Sequence, residues 1–307
     1  MIFMKKDLYY DSCGAGRIHV CLWEPEQPVK GIVQIIHGIA EYAERYQPFA
    51  QYLNEQGYLV VAEDHMGHGN SIGKEGIQGY FHGGWFAAVR DSRNLMLLMK
   101  KEYPETPYYV LGHSMGSFML RTWLIEFPED NLTGAIICGT GWMSAAVLQA
   151  GHKACLTVCR LKDERIPSEF LQGLAFGTYN KRVEHPRTEF DWLNRDSREV
   201  DAYIDDPLCG FTATAGLLRD MMGGMLYIQK NENLLKMNKQ IPIHFIAGGH
   251  DPVGDYGKGV LKAAGMFRKA GMQTSQRIYP LCRHEILNEI NKEEIFEDIA
   301  QWINSTN

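Results

Sequence analysis

The sequence predicts an α/β protein: a mostly parallel central sheet with helices on both faces and a helical cap inserted into it. Three observations carry this. Near-continuous apolar runs of strand length alternate with stretches of helical spacing up to residue 141 and again from 241. Between them, residues 142–207 show helical periodicity and no convincing strand. A Gly-x-Ser-x-Gly pentapeptide, Gly112 to Gly116, stands where a strand run passes into a helical one.

The elements follow in order. Residues 17–25 alternate apolar and polar and pair with 7–12 as a hairpin turned by "CGAG". "GIVQIIHG" (31–38) is a buried strand ending in glycine. Residues 43–57 have helical spacing with Gly57 as their stop, and 58–64 form the next buried strand. A long helix over 84–103, a strand over 108–114, a helix over 115–127 and a strand over 132–140 complete the first part. Residues 211–230 read as a helix leading back to the sheet. A strand over 241–251, a helix near 257–271, a strand over 276–281 and a final helix over 292–304 close it. Continuous apolar strands separated by helices require a sheet covered on both faces. The expected division is a discontinuous core, 1–141 with 208–307, and a cap of 142–207.

Composition narrows the function. The 307 residues are 45% hydrophobic and 22% charged, enough for a sizeable core. A net charge of −6 offers no basic surface, so nucleic acid is not an expected partner. The N-terminal stretch has no apolar run suited to a signal peptide or a membrane span. The 7 cysteines are scattered. Cys155 and Cys159 lack a second ligand pair, so reduced thiols in a cytoplasm are expected, with no metal. His284 opens "HEILN", in which Asn288 replaces the second histidine of a zinc helix.

A tight strand-to-helix turn holds its serine in a strained conformation, and small neighbours let other backbone approach. Ser114 would stand at the carboxyl end of the sheet, beside the free N–H groups of the helix starting at Met115. A serine needs a base to act as a nucleophile. In this architecture the acid and then the histidine follow in chain order. Asp251 follows the strand "IHFIAGG" and His284 follows "RIYPL", so Ser114, Asp251 and His284 are the expected triad. Asp255 is the rival acid. The expected oxyanion donors are the amides of Met115 and of Ile39, the latter in the loop after the 31–38 strand. His37 is expected to pack beneath that loop, and His68 to brace the loop around Gly67 and Gly69.

With these residues in place, the chain resembles the monoacylglycerol lipase and lysophospholipase group of α/β-hydrolases. The resemblance rests on "HGIAEYAERY" (37–46), "DHMGHGNS" (64–71), "GHSMGS" (112–117), "DPL" (206–208), "HDPV" (250–253) and "RHE" (283–285). It spans about residues 30 to 290. Tyr42 departs from the pattern, where many members have histidine. The resemblance implies the α/β-hydrolase fold and a serine hydrolase acting on a small lipid or ester, with no cofactor.

Over the serine, Met143, Val147, Ala150, Ala154, Val158 and Leu161 form one helical stripe. Leu217, Leu218, Met221, Met222, Met225 and Leu226 crowd the 211–230 helix. Methionines repack easily around flexible chains. Met143, Val147, Met221, Met222 and Met225 are therefore expected to line an acyl pocket, and the cap could also touch a membrane. Two alternatives stand beside the ester hydrolase. One is an aminopeptidase, with Glu164, Glu169 or Glu184 facing an ammonium group. The other is a ligand-sensing protein that keeps the triad but turns over slowly.

Overall fold

The computed structural model describes residues 4–72 and 76–306. Residues 1–3, which open the N-terminal stretch read above, lie outside the described residues. Eight strands among the described residues form one sheet: β1 (Met4–Asp11), β2 (Arg17–Glu24), β3 (Gly31–Ile36), β4 (Tyr58–Glu63), β5 (Tyr108–His113), β6 (Gly134–Cys138), β7 (Ile243–Gly248) and β8 (Thr274–Tyr279). The spatial order is β1-β2-β4-β3-β5-β6-β7-β8. β1 pairs antiparallel with β2, and β2 antiparallel with β4. All other pairs are parallel.

The helices are α1 (Gln47–Glu55), α2 (Trp85–Glu102), α3 (Met115–Glu126), α4 (Ala145–Leu161), α5 (Glu169–Phe176), α6 (Ser197–Asp205), α7 (Ala215–Ile228), α8 (Asn231–Leu234), α9 (Lys258–Lys269) and α10 (Lys292–Ser305). The alternation along β3 shows why its sequence is apolar throughout. Ile32 and Ile36 pack with Leu95, Phe118 and Trp123 on one side. Val33 and Ile35 pack with Phe49, Leu53, Ile295 and Ile299 on the other. Each such side chain, fully buried, stabilises the fold by about 1.5–3 kcal/mol.

Chain order reverses about β3, which has β4 on one side and β5 on the other. Ligands of open α/β sheets bind at such a switch point, beyond the strands' carboxyl ends. Both the loop after β3 and the turn after β5 lie there.

Two expectations about the helices need correction. The helix expected from residue 43 begins as a tight turn over Ala43–Tyr46, and α1 starts at Gln47 with Pro48 in its first turn. The stripe expected on α4 is only partly the packed one. Leu148 and Cys155 are the residues α4 buries against its surroundings, whereas Val147 is 54% and Leu161 79% exposed. The 142–207 segment holds α4, α5 and α6, and its one strand-like contact among the described residues is an isolated bridge from Pro167 to Thr214. No helix among the described residues is long and apolar enough to cross a membrane.

Candidate active site

Ser114 occupies the turn between β5 and α3 with φ +53° and ψ −119°. That conformation is costly for a residue with a side chain and persists only where its surroundings enforce it. The enforcement is visible. A Cβ at Gly116 would lie 2.0 Å from the Ile36 carbonyl oxygen, and one at Gly112 would lie 2.4 Å from that of Gly116. The Ser114 N–H donates to Cys138 O at 3.0 Å, and Ser117 Oγ donates to Ser114 O at 2.6 Å.

His284 and Asp251 reach the same place from the loops after β8 and β7. His284 Nδ1 lies 3.0 Å from Asp251 Oδ2. The bond is poorly aligned, and neither atom has another partner among the described residues. Both side chains are buried. Asp251 Oδ1 accepts the Val253 N–H at 2.9 Å, which fixes the carboxylate. The imidazole of His284 is held between the rings of His113, 4.8 Å away, and Trp192, 5.1 Å away. Asp255, the rival acid, is exposed on the following turn at φ +46°.

The loop after β3 faces Ser114; a Cβ at Gly38 would come within 3.1 Å of the Ser114 Cβ. Ile39 lines the space around Ser114. Met115, as the first residue of α3, carries an N–H that no helical carbonyl can accept. Glu41 organises this loop. Its Oε1 accepts from Gly38 N–H at 2.6 Å, Tyr46 O–H at 2.9 Å and His113 Nδ1 at 3.1 Å. Its Oε2 accepts from Arg45 Nη1 at 3.0 Å. Arg45 also makes a two-pronged pair with Glu285, at 2.7 and 2.8 Å. His113 Nε2 faces His284 O at 3.4 Å. One buried network thus joins the β3 loop, the serine turn and the histidine loop.

Burial pushes the Glu41 carboxyl up, but the His113 hydrogen bond and charge, with Arg45, outweigh it and hold Glu41 well below the usual range. Burial likewise works against a charged His113, and the Glu41 bond overcomes it and raises the imidazole's pKa. When protonated, His113 can donate from both ring nitrogens, to Glu41 and to His284 O; its Nδ1 also lies 2.9 Å from the Tyr46 hydroxyl.

Beneath the loop, the rings of His37 and His65 lie 3.8 Å apart, tilted by 34°. His37 Nε2 accepts the His65 N–H, and His65 Nε2 donates to His37 O, each at 3.0 Å. His37 is therefore packed under the loop, as expected. His68 makes one long bond, Nδ1 to Met66 O at 3.3 Å, and braces its loop chiefly by ring contacts with Phe81 and Phe211. The tighter brace is Asp64, which accepts from Ala43 N, Asn70 N and His19 Nδ1, each at 2.8 Å.

Two cavities meet at Ser114, sharing Ile39, Phe176 and Trp192 as walls. One, of about 330 Å³, is apolar and runs between α4 and α7. Met143, Val147, Met221, Met222 and Met225 all line it, as do Ala150 and Ala154. Phe118, Leu148, Leu174 and Val253 complete it. The other, of about 360 Å³, is more polar, bounded by the β3 loop, α5, residues 189–193, Tyr203 and residues 210–212. This polar cavity is absent from the sequence reading.

Cap residues also clamp the β3 loop. Ala40 stands at φ +56°, and its carbonyl accepts from Tyr203 O–H at 2.9 Å and from Gly210 N–H at 3.0 Å. Tyr42, where the motif departs from its usual histidine, donates to Asp206 Oδ2 at 2.8 Å. Among the candidate cap carboxylates, Glu164 is engaged by Tyr80 and Arg219, and Glu169 lines the polar cavity. Glu184 lines neither cavity, whereas Glu189 joins Glu169 in the polar one. One cluster among the described residues has donors close enough for a metal: Asp7, His19 and Cys21 on the β1–β2 edge. Lys5 Nζ lies 3.4 Å from that Asp7 carboxylate and would oppose a cation there.

The profile of the family described as "Serine aminopeptidase, S33" matches residues 27–291. A monoacylglycerol lipase of Mycolicibacterium smegmatis is 28% identical over 300 residues, spanning 96% of this chain and 95% of that one. Human monoglyceride lipase is 31% identical over 186 residues, 61% of this chain and 54% of the human protein. A thermostable carboxyl esterase from Bacillus coagulans, solved in complex with glycerol, superimposes with a TM-score of 0.92 at 29% identity. That match covers 100% of this chain and 99% of the esterase. The chain therefore belongs to the serine aminopeptidase S33 family, with the α/β-hydrolase fold, and is of the monoacylglycerol lipase type.

Proposed function

We propose that this carboxylic ester hydrolase cleaves esters of apolar acyl chains, monoacylglycerol or lysophospholipid in class, through an acyl-enzyme on Ser114. Ser114 Oγ attacks the ester carbonyl while His284 takes its proton. Asp251 holds the ring with its other nitrogen toward Ser114 and stabilises the imidazolium. The amides of Ile39 and Met115 receive the oxyanion. His284 returns the proton to the departing alcohol, then activates water against the acyl-serine. The same steps run without a metal or an organic cofactor.

The observation that carries this reading is the pair of cavities meeting at Ser114. An ester has an apolar acyl half and a polar alcohol half, and the two cavities differ in the same sense. The apolar one takes the acyl chain, with Met143, Val147, Met221, Met222 and Met225 as its contacts. The polar one takes the alcohol. A related esterase was solved in complex with glycerol, a small polyol. In this reading residues 142–207 are a cap over a core of 1–141 and 208–307. Val147, Phe170 and Leu174 are exposed apolar residues on that cap and suit contact with a lipid surface. Seven unpaired cysteines suit a reducing, cytoplasmic setting.

An aminopeptidase would carry its ammonium group on the acyl half of the substrate. Glu169 and Glu189 line the other cavity, and among the described residues no carboxylate lines the apolar one. A chain-length series of p-nitrophenyl esters, run beside aminoacyl anilides, tests the proposal. Lengthening the acyl group from two to six carbons is expected to raise kcat/KM by about tenfold to 10²-fold, at ~0.8 kcal/mol per buried methylene. A flat ester series with faster anilide cleavage would overturn it, and a burst without turnover would indicate the slow sensor.

A further inference from the structure

The polar cavity has a charge that a glycerol site does not need. Among the described residues four glutamates line it, and no lysine or arginine does. Glu41 and Glu285 share an ion pair with Arg45, which lies outside the lining. Glu169 and Glu189 are exposed along the wall and have no ion-pair partner among the described residues. Phe176, Phe190, Trp192 and Phe211 line the same cavity. Carboxylates on an aromatic wall match a quaternary ammonium group, which aromatic faces attract through their quadrupole and anions attract through charge. A phosphate there would meet two carboxylates and no compensating cation.

We propose that the polar cavity selects a positively charged alcohol, making fatty acyl esters of choline-like quaternary-ammonium alcohols preferred substrates and phosphate-bearing alcohols poor ones. This rests on the reading above, in which the polar cavity holds the leaving alcohol, and narrows it against lysophospholipid, whose leaving alcohol carries a phosphate. Glu169 opens α5 after the cap Ser168, so its charge also favours the helix end. Glu189 lies outside any helix and has no such role.

The test compares octanoylcholine with its neutral carbon isostere, neohexyl octanoate, at low ionic strength. Shape and acyl group are shared, and the ammonium's inductive activation of the ester is the same in every variant, so the change in the kcat/KM ratio on removing the carboxylates reads their charge. The ratio is expected to be roughly tenfold in favour of choline, mostly through KM. In the double variant Glu169→Gln/Glu189→Gln it should fall to about threefold or less, and added salt should lower the wild-type ratio. A wild-type ratio of one or below, with the neutral ester still hydrolysed, overturns this inference and leaves the ester hydrolase standing. A high ratio that survives in the double variant overturns the assignment to Glu169 and Glu189. Hydrolysis of neither ester overturns the inference together with the reading it rests on.

Discussion

Replacing Glu41 probes whether the buried network positions the catalytic groups or merely stabilises the fold. Glu41 is 3% exposed and receives four donors: Gly38 N–H, Tyr46 O–H, His113 Nδ1 and Arg45 Nη1. In Glu41→Gln one amide oxygen can still accept from Gly38, but the amide NH₂ meets Arg45, a second donor. Leaving a buried donor unpaired costs about 1–3 kcal/mol. Part of the charge on Arg45 remains balanced by Glu285. The expected loss of stability is therefore about 2–3 kcal/mol, and the protein stays folded. The effect on activity follows from what Gly38 precedes. Its N–H is pinned one residue before Ile39, whose amide is the proposed oxyanion donor. A displacement of about 1 Å at such a group costs on the order of 10² in rate. Turnover of p-nitrophenyl hexanoate by Glu41→Gln should fall about 10- to 100-fold in kcat with KM within about threefold. Urea unfolding of the same sample reports the stability. A variant that loses stability but keeps kcat within about twofold would show the network to be structural only.

Asp251→Asn should lower kcat by about 10³–10⁴, whereas Asp255→Asn should change it less than about threefold, because Asp255 is exposed and asparagine tolerates its positive φ; the reverse ranking in ester kinetics would move the acid to Asp255. Ala154→Trp should fill the apolar cavity and lower kcat/KM for an octanoyl ester by about tenfold or more while an acetyl ester is spared; equal losses on both would remove Ala154 from the acyl path. Acidification should destabilise the fold. Burial pushes His65 down to about 4 and His68 to about 3, so the unfolded chain takes up their protons first, near pH 6.5. Stability is then lost as pH falls below about 6.5, by at most about 2 kcal/mol per histidine at pH 5. His19 and His113, raised by Asp64 and Glu41 against their own burial, act oppositely and offset part of it. A urea midpoint as high at pH 5 as at pH 7 would contradict this balance.

Much of the fold was legible because both faces of the sheet are covered, which makes β3, β4 and β5 near-continuous apolar runs. The serine turn was legible because its close backbone contacts admit only small residues at Gly112 and Gly116. The stripe on α4 was harder to read. Apolar periodicity marks a face but does not tell a packed neighbour from an open cavity, so Val147 at the cavity and Leu161 in solvent fell on one stripe with Val158, which packs against the core. The network of Glu41, Arg45, His113 and Glu285 was present only as separate motif letters. Its longest link, Arg45 to Glu285, spans 240 residues, and no spacing rule connects them. The polar cavity was missed for the same reason: its walls come from the β3 loop, α5, residues 189–193, α6 and the histidine loop.

The proposed role of Ser114, as nucleophile between an acyl cavity and an alcohol cavity, is tested most directly by fluorophosphonate labelling of the wild type and of Ser114→Ala, with the modified peptide sequenced and turnover of monodecanoylglycerol followed in parallel. A single adduct on Ser114 is expected, and in the folded variant no adduct and a kcat lowered by about 10⁴–10⁶. An adduct on another residue, with Ser114→Ala still turning over the lipid, would contradict it.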